Sequence, residues 1–322
     1  MNSYLELTLN TEIYGMAQFK DWIHAARLRT LPLSVSGILV GSLLALQNGH
    51  WNPLVFVLAL STTLLFQILS NLANDLGDTL KGADNANRVG PERAVQSGAI
   101  SIEAMKRAVA ITAILSGISA GALIWKGTAN LSMNSVYGYI GLAVACVLAA
   151  ITYTMGKRAY GYFGLGDVFV FIFFGCVSVI GVYPLFADGL ILELIFPAIT
   201  IGLLSTAVLN LNNMRDQIND ASVGKRTLVV KLGFKNAKMY HLTLVITAML
   251  SWIAFLIFKQ HWIGFISCLP FILLLKHILF VVKNNEPRAF DPELKKVALS
   301  TFFISVLYTI SVIIVTWNTV AY

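Results

Sequence analysis

Charged residues are scarce in this chain. Only 12% of its 322 residues are Asp, Glu, Lys or Arg, while 57% are hydrophobic, and the mean hydropathy is +0.74. Soluble domains have about one quarter charged residues, so the composition excludes an ordinary soluble globular protein. The alternating segments of about ten residues that form an outer-membrane barrel are also missing. These absences leave a polytopic helical membrane protein embedded in the lipid bilayer.

Cysteine and histidine are rare as well, and neither forms a recognisable motif. The three cysteines, Cys146, Cys176 and Cys268, all lie in apolar runs and show no CxxC spacing. They indicate packing positions rather than a disulfide framework. The five histidines are scattered without the spacing of a zinc site, which argues against a histidine metal centre.

The N-terminal residues lack the basic start and early apolar core of a cleavable secretory signal. Residues 1–15 show no hydrophobic periodicity either. We expect them to be a disordered extension, followed by a single transmembrane domain over residues 16–322. Residues 16–33 are amphipathic and basic, which predicts an interfacial helix before the first membrane span.

Nine apolar runs are long enough to cross a bilayer, which takes about 20 residues. They lie at about 31–48, 53–74, 107–125, 135–155, 165–186, 190–213, 240–258, 261–282 and 297–317. Short connections alternate with four longer polar loops, at 75–106, 156–164, 214–239 and 283–296. The expected fold class is therefore all-α, with nine transmembrane helices.

The net charge of +7 comes from basic residues in loops beside the spans, so it indicates topology and anionic substrates rather than nucleic acid. If the N-terminus is cytoplasmic, all but three of the 23 lysines and arginines fall on the cytoplasmic side. The exceptions are Lys126, Lys259 and Lys276. Nine spans then place the C-terminus outside. We expect a multi-pass protein of the inner (cytoplasmic) membrane, with its longer loops in the cytoplasm.

Two polar motifs stand at the ends of the second and sixth spans. The first places three residues at i, i+4 and i+7: Asn71, Asp75 and Asp78. The second places three residues at i, i+4 and i+8: Asn212, Asp216 and Asp220. Each spacing puts its residues on one face of a helix. Since the second and sixth spans run in the same direction, both motifs are expected at the cytoplasmic end of the bundle.

Acidic side chains are unfavourable at these positions. The C-terminal end of a helix is the negative pole of its dipole, where cations are favoured by about 0.3–1 kcal/mol. Acids at membrane depth cost about 2.5–3.5 kcal/mol each on insertion scales and usually mark a functional site. Carboxylate and amide oxygens suit Mg²⁺, which commonly binds carboxylates together with substrate phosphates. The motifs therefore predict two Mg²⁺ ions, one at each motif, that clamp one diphosphate.

Basic residues close to the two motifs can neutralise the remaining phosphate charge. They are Lys81, Arg88, Arg93, Lys157, Arg158, Arg215, Lys225 and Arg226. Metal ions and these cations together would stabilise a departing diphosphate. A diphosphate bound inside a bundle that is open to lipid indicates a polyprenyl diphosphate as the donor substrate.

The paired Asp-rich motifs on nine spans resemble those of the intramembrane aromatic prenyltransferases, the UbiA superfamily. Four stretches are similar to its naphthoate branch, the 1,4-dihydroxy-2-naphthoate polyprenyltransferases of menaquinone synthesis: AARLRTLPLS (25–34), NLANDLGDTLKGADNANRVGPERAVQSGAI (71–100), YGYFGLGDVFVFIFFG (160–175) and LNLNNMRDQINDASVGKRTLVVKLG (209–233). The similarity covers about residues 16–317. The general superfamily pattern has a third Asp four residues after the second. Here that acid comes later, at Asp84, which is the spacing of the naphthoate branch and adds Asp84 to the expected metal ligands.

The resemblance implies a helical bundle around a central cavity and a mechanism for prenyl transfer to 1,4-dihydroxy-2-naphthoate. Four carboxylates would hold the two Mg²⁺ ions: Asp75, Asp78, Asp216 and Asp220. Three amides would support them: Asn71, Asn74 and Asn212. Ionisation leaves an allylic cation, which the aromatic run 169–174 could shield by cation–π contact. The ring then attacks, and loss of CO₂ with a proton restores aromaticity and gives demethylmenaquinol.

The resemblance also implies further substrate-binding residues. Tyr153, Lys157 and Arg158 resemble a family motif on the fourth span, associated with the substrate and diphosphate cavity. Arg27 and Arg29, within AARLRTLPLS, are expected to bind the carboxylate of the acceptor. In the GLGD turn that opens the fifth span, Asp167 is expected to orient a ring hydroxyl or to assist proton removal.

Other functions fit part of the sequence. Another enzyme of the same superfamily would use 4-hydroxybenzoate, homogentisate or haem as acceptor, and only the motif spacing and the GLGD and AARLRTLPLS stretches argue against it. A cation-coupled transporter would also place acids in the membrane, but isolated at mid-span rather than clustered beside basic residues. A soluble prenyl-chain synthase is excluded by the spans.

Overall fold

The structure, a computed structural model, describes residues 17–85 and 88–320. The predicted extension, residues 1–15, lies outside the described residues. Nine helical segments in the described part of the chain are long and apolar enough to cross a membrane, and no β-strand occurs there. The predicted all-α class and the predicted number of spans are confirmed.

The chain enters the bundle through a short helix, α1 (Phe19–Ala26), whose first turn is closed by a capping box between Gln18 and Asp21. Arg27 then adopts a left-handed conformation with φ of 51°, which is uncommon for a residue other than glycine. A 3₁₀ turn, Leu28–Thr30, leads directly into the first span, α2 (Leu31–Gln47). The helix before the first span is therefore shorter than the predicted interfacial helix over residues 16–33.

The other helices follow in chain order. They are α3 (Pro53–Leu80), α4 (Ile102–Gly127), α5 (Met133–Thr152), α6 (Gly166–Val170, continued by a π-helix over Phe171–Ile180), α7 (Ile195–Ser222), α8 (Leu228–Leu232), α9 (Phe234–Phe258), α10 (Phe271–Lys283) and α11 (Asp291–Val320). Short 3₁₀ segments lie between them, at Tyr160–Phe163, Tyr183–Leu185, Leu192–Leu194, Trp262–Cys268 and Pro287–Phe290. Side chains of Asn52, Ser101, Ser132 and Thr227 accept hydrogen bonds from free amides at helix starts, as N-caps do.

The two membrane helices that carry the motifs extend further than expected. The second and sixth spans, predicted to end near residues 74 and 213, continue to Leu80 and Ser222 as α3 and α7. Asn71 and the four aspartates of the two motifs are buried in the bundle and Asn212 is half-buried, so the fall in hydropathy does not mark the helix ends. Both motifs consequently lie on helical backbone, which fixes the direction of each side chain.

Apolar packing holds the bundle together in two main cores. The larger core joins α2, α7, α9, α10 and α11, and the smaller one joins α1, α3 and α4 with residues 94–100. The π-helix lies close against α7, where a Cβ on Gly175 would be 2.5 Å from the carbonyl oxygen of Ala198. Glycine permits this approach because it has no side chain. A space between α2, α3, α5, the π-helix and α7 stays open and forms the cavity described below.

Two of the scattered histidines meet in the bundle interior. His241 Nε2 on α9 lies 2.7 Å from His277 Nε2 on α10, and His277 Nδ1 lies 2.5 Å from Glu293 Oε2 on α11. All three residues are buried. The spacing of histidines along the chain gave no sign of this contact because each residue comes from a different helix.

Candidate active site

The two acidic motifs meet at one end of the bundle. Asn219 on α7 donates a side-chain hydrogen bond to the carbonyl of Ala83, just after α3, at 2.8 Å. Lys225, just after α7, has its Nζ 3.4 Å from Asp78 Oδ2 and 3.7 Å from Asp220 Oδ1. These contacts bring the C-terminal ends of α3 and α7 together.

A cavity of about 480 Å³ begins between the motifs and extends into the apolar interior. Its polar lining comes from both motifs and the nearby loops: Asn71, Asn74, Asp78, Asp84, Arg88, Arg93, Asn212, Asp216, Asp220 and Lys225. Several aromatic rings also line it: Phe66, Tyr139, Tyr153, Tyr160, Phe169, Phe173 and Phe174. An anionic head group and a long apolar tail in one ligand suit a cavity of this composition.

The polar stripe on α3 faces two different surroundings. Asn74 and Asp78 line the cavity, whereas Asp75 is buried against the loop that follows α3. The carboxylate of Asp75 accepts hydrogen bonds from the amides of Ala94 at 3.2 Å and Val95 at 3.4 Å. Asp75 therefore anchors the loop segment directly after Arg93.

Asn71, one turn before Asp75, connects α3 to the turn between α1 and α2. Its side-chain amide donates to the carbonyl of Ala26 at 2.8 Å and to Thr30 Oγ1 at 3.1 Å. Two arginines from this turn, Arg27 and Arg29, line the cavity. Asn71 thus fixes the part of the chain that was expected to contact the acceptor.

Asp78 has two partners from distant parts of the sequence. Tyr162 donates its hydroxyl to Oδ1 at 2.8 Å, and Lys225 approaches Oδ2 at 3.4 Å. Burial alone lowers the pKa of Lys225, but the carboxylates of Asp78 and Asp220 raise it overall, so the ammonium stays charged. Burial and the same Asp78 carboxylate raise the pKa of Tyr162, which keeps its hydroxyl a hydrogen-bond donor.

Asp216 is held by its neighbour in sequence. Arg215 donates from Nε to Oδ1 of Asp216 at 3.0 Å and from Nη2 to Oδ2 at 2.7 Å. The same guanidinium donates to Asn212 Oδ1 at 2.7 Å and forms an ion pair with Asp291 at the start of α11. Arg215 is fully buried and does not line the cavity, so its contacts orient Asp216 from behind.

The loop after α3 adds a second group of charges. Arg88 Nε lies 3.1 Å from Asp84 Oδ1, and Arg88 Nη2 lies 3.6 Å from Asp216 Oδ2. Arg93 Nε is 3.8 Å from the same Asp84 oxygen, which is too far for a hydrogen bond. Burial raises the pKa of Asp84 despite the two arginines, and burial and then Arg27 lower the pKa of Arg93 well below its usual range. Both pKa shifts indicate that these charges are buried without enough opposite charge or hydrogen bonding to offset the loss of water.

Some oxygen donors at the polar end of the cavity have no partner. Asn74 Oδ1 and Asp84 Oδ2 are buried without a hydrogen bond among the described residues. With the carboxylates of Asp78, Asp216 and Asp220 they form an all-oxygen donor set, which suits a hard divalent cation such as Mg²⁺. The chemistry of the donors therefore fits the predicted metal.

The donors do not converge on one point, however. In residues 17–85 and 88–320, no three Asp, Glu, His or Cys side chains come together in an arrangement that could hold a metal ion. Basic side chains lie between the carboxylates instead, with Lys225 beside Asp78 and Asp220, and Arg88 between Asp84 and Asp216.

Several residues predicted to act in the site do not line the cavity. Lys157 and Arg158 are exposed in the turn after α5, although Tyr153 of the same motif lines the cavity. Lys81 lies over the ring of Tyr162, with Nζ 4.1 Å from the ring centroid. Asp167 is buried at the start of α6, where its backbone carbonyl accepts a hydrogen bond from Thr206 Oγ1 at 3.4 Å. The roles predicted for these residues stay predictions.

Tyr162 and Asp291 were missed as members of the site. Tyr162 lies in the stretch YGYFGLGD, whose resemblance to the family indicates a role for Asp167 but none for Tyr162. Asp291 begins the last membrane helix and lines the cavity, although nothing in its local sequence indicates a partner on α7. The sequence does not distinguish Lys225 from the other basic residues close to the motifs.

Comparison with known proteins assigns the chain to a family of membrane prenyltransferases, in agreement with the arrangement of the two acidic motifs around the cavity. A model of the UbiA prenyltransferase family matches residues 34–307. The chain is 42% identical over 304 residues to 1,4-dihydroxy-2-naphthoate octaprenyltransferase of Escherichia coli (strain K12), covering 94% of this chain and 98% of that protein. It is 40% identical to the protein of the same name from Haemophilus influenzae (strain ATCC 51907 / DSM 11121 / KW20 / Rd), covering 92% and 97% of the two chains.

A solved structure shares the fold at low sequence identity. It comes from work titled "Structural and mechanistic insights into the biosynthesis of Digeranylgeranylglyceryl phosphate synthase in membranes". The TM-score is 0.54 at 17% identity, and the match covers 91% of this chain and 98% of that one. The family model spans most of the chain, and the relatives match along nearly all of it. This multi-pass membrane protein therefore belongs to the UbiA prenyltransferase family.

Proposed function

We propose that this protein transfers a polyprenyl group from a polyprenyl diphosphate to 1,4-dihydroxy-2-naphthoate, with loss of CO₂, and so produces demethylmenaquinol. The observation that supports this most directly is the meeting of two acidic motifs, with basic residues between them, at the head of an aromatic-lined apolar cavity. The names of the two relatives at 42% and 40% identity support the naphthoate as acceptor.

The metal ligands in this proposal are Asp78, Asp216 and Asp220, with Asn74 and Asp84 beside them. Their oxygen chemistry and the unpartnered oxygens of Asn74 and Asp84 favour Mg²⁺, and two separate motifs favour two ions. Bound Mg²⁺ would neutralise the diphosphate and make it a better leaving group. The sequence also predicts Asp75 as a ligand, and that role would require its carboxylate to leave the amides of Ala94 and Val95.

Basic side chains in the cavity bind the diphosphate in this proposal. Arg88, Arg93 and Lys225 lie among the carboxylates of both motifs, within a single polar region. Their charges favour the departing diphosphate more than the intact ester, because negative charge accumulates on the leaving oxygen. The allylic carbon–oxygen bond then breaks, and the diphosphate leaves with the electron pair.

Aromatic rings next to the polar region shield the allylic cation. Tyr160 and Phe169 stack with their ring centroids 4.1 Å apart, and Phe169 and Phe173 follow along the cavity wall at 6.2 Å. Ring faces attract a cation electrostatically and offer no nucleophile that would trap it. The apolar lining also excludes water, which would otherwise convert the cation to an alcohol.

The acceptor carboxylate binds at the turn between α1 and α2. Arg27 and Arg29 both line the cavity there, and Arg27 Nη2 is buried without a hydrogen-bond partner among the described residues. A bidentate carboxylate contact would satisfy such a guanidinium. This position would hold the naphthoate in the same cavity as the aromatic rings.

The orientation in the membrane follows from the distribution of basic residues. We infer that the motif-bearing end and the N-terminus face the cytoplasm and that the C-terminus lies outside, in the inner membrane. Labelling of single cysteines with a membrane-impermeant thiol reagent, in a cysteine-free background, tests this. A cysteine at the exposed position Lys106 should be protected in intact cells and one at Lys126 should be labelled.

Turnover with purified protein tests the chemistry. The protein in detergent, with Mg²⁺ and a long polyprenyl diphosphate, should consume 1,4-dihydroxy-2-naphthoate and release one CO₂ for each prenyl group transferred. Chelation of the metal should stop the reaction. Prenylation of 4-hydroxybenzoate or homogentisate in preference to the naphthoate would refute the acceptor assignment.

A further inference from the structure

Lys225 occupies the position between the two motifs where a cation would have to sit to join them. Its Nζ lies 3.4 Å from Asp78 Oδ2 on α3 and 3.7 Å from Asp220 Oδ1 on α7. All three side chains are at least 89% buried, since their exposed fractions are 11%, 8% and 5%. Two buried carboxylates from separate helices thus share a single internal positive charge.

The backbone around Lys225 is fixed independently of its side chain. The amide of Lys225 donates to the carbonyl of Asp220 at 2.8 Å, and the amide of Arg226 donates to the carbonyl of Tyr162 at 3.0 Å. The Tyr162 ring lies near the ammonium, 5.3 Å from its centroid to Nζ. A lysine has a flexible four-carbon stem, so the charge can move several ångströms while the backbone stays in place.

Arg215, in contrast, cannot move in the same way. Its guanidinium is fully buried, lies outside the cavity lining, and contacts Asn212, Asp216 and Asp291 together. Lys225 lines the cavity and has only the two carboxylates as charged contacts within 4 Å among the described residues. Arg215 lies within the second motif and Lys225 lies just after it. Of these two buried cations, only Lys225 is therefore free to change its partner.

We propose that Lys225 is an exchangeable counter-ion: it neutralises Asp78 and Asp220 before the substrates bind, and it moves onto the diphosphate when a divalent cation takes over those carboxylates. This inference rests on the proposed function and adds a binding order to it. The metal and the lysine compete for the same carboxylate oxygens, so the metal alone binds weakly. The diphosphate attracts the lysine away from the carboxylates, so diphosphate and metal strengthen each other's binding.

Such coupling is reciprocal, because both ligands act through the same lysine. The lysine competes with the metal but attracts the diphosphate, so removing its charge should have opposite effects on the affinities for the two ligands. The affinity for the metal alone should rise, since two buried carboxylates lose their counter-ion. The affinity for the diphosphate should fall, since the anion loses a cation. A lysine that only binds phosphate would change the second affinity and leave the first alone.

The test uses purified full-length protein in detergent, with Mn²⁺ as the metal probe and its free concentration followed by electron paramagnetic resonance. Lys225→Met should bind Mn²⁺ about tenfold more tightly than the unmodified protein in the absence of diphosphate, within the usual range of coupling between sites. Inorganic diphosphate, titrated calorimetrically at a fixed excess of Mn²⁺, should bind about tenfold more weakly. Unchanged or weaker Mn²⁺ binding in Lys225→Met would overturn the inference.

Three further variants complete the experiment. Lys225→Arg keeps the charge and should keep the weak Mn²⁺ binding. Lys231→Met is the matched control, because Lys231 Nζ donates to the carbonyl of Phe163 at 2.6 Å and has no carboxylate partner within 4 Å among the described residues. Lys225→Gln replaces Lys225→Met if the latter does not purify as a folded protein.

The measurements separate this inference from the proposed reaction. Mn²⁺ binding needs neither acceptor nor turnover, so a wrong acceptor assignment would leave the expected Mn²⁺ result unchanged. If neither the unmodified protein nor Lys225→Met binds Mn²⁺, the exchange and the metal part of the proposed function both fail. Prenyl transfer with tight Mn²⁺ binding already present in the unmodified protein would refute the exchange alone.

Discussion

Arg215 contacts both carboxylate oxygens of Asp216, with Nε 3.0 Å from Oδ1 and Nη2 2.7 Å from Oδ2. A planar guanidinium that donates two parallel hydrogen bonds fixes the plane of a carboxylate, which an ammonium cannot do. Asp291, from the start of α11, pairs with the remaining side of the guanidinium. The last membrane helix thereby contributes to the orientation of an acidic residue on α7.

The first prediction concerns the two parallel hydrogen bonds from Arg215 to Asp216. Arg215→Lys should keep the charge but lose the two parallel hydrogen bonds, so the Mg²⁺ concentration needed for half-maximal turnover should rise. Hydrogen bonds to charged groups contribute about 1.5–3 kcal/mol, which corresponds to roughly 10- to 150-fold. Arg107→Lys, at an exposed position on α4, is the control and should have no effect. An unchanged Mg²⁺ dependence in Arg215→Lys would show that the orientation of Asp216 is unimportant.

The second prediction separates Asp75 from Asp78. Asp78→Asn should abolish Mg²⁺-dependent turnover and strongly reduce Mn²⁺ binding, because Asp78 lines the cavity. Asp75→Asn should still bind Mn²⁺, since Asp75 contacts the amides of Ala94 and Val95, but its KM for the diphosphate should rise as the loop loosens. Equal loss of Mn²⁺ binding in both variants would instead identify Asp75 as a metal ligand, as the sequence motif predicts.

The third prediction concerns Tyr162. Tyr162→Phe removes the hydroxyl that donates to Asp78 at 2.8 Å and keeps the ring beside Lys225. The loss of one hydrogen bond to a carboxylate should cost about 1.5–3 kcal/mol and lower kcat/KM by roughly 10- to 150-fold. Tyr137→Phe, on the exposed face of α5, provides the comparison. Wild-type kinetics in Tyr162→Phe would remove Tyr162 from the site.

The fourth prediction concerns stability away from the cavity. Glu293→Ala leaves Nδ1 of buried His277 without its carboxylate partner and should destabilise the protein by about 1–3 kcal/mol, seen as a lower melting temperature in detergent. The double variant with His277→Ala should lose less than the sum of the two single variants, because the two residues interact directly. Glu103→Ala removes a 75% exposed partner of Lys106 and should change stability by less than about 1 kcal/mol. Additive losses at 277 and 293 would contradict a coupled pair.

Much of the fold could be predicted because its causes are local. A bilayer requires about 20 consecutive apolar residues for each helix, so nine spans are visible in the sequence without any knowledge of their packing. The predicted positions of the helix ends were less accurate. Asp78 and Asp220 are buried and contact Lys225. A hydropathy profile ends the span before such charged residues, so it places the helix end too early.

The site was predicted in part for the same reason. Helical spacing determines which residues share a face, and both acidic motifs were found from spacing alone. Spacing does not determine what that face contacts. Asp75 and Asp78 lie on one narrow stripe, yet Asp75 holds a loop through Ala94 and Val95 while Asp78 lines the cavity.

The sequence by itself determined the membrane class, the number of membrane spans and the two acidic motifs, because each depends on residues within a few turns of one another. Only the tertiary structure decided the partners of those acids. Lys225 is 147 positions from Asp78, Tyr162 is 84 positions from it, and Asp291 is 76 positions from Arg215. Such pairs form when separate helices pack, and a charge buried by packing takes whichever opposite charge the fold brings within reach.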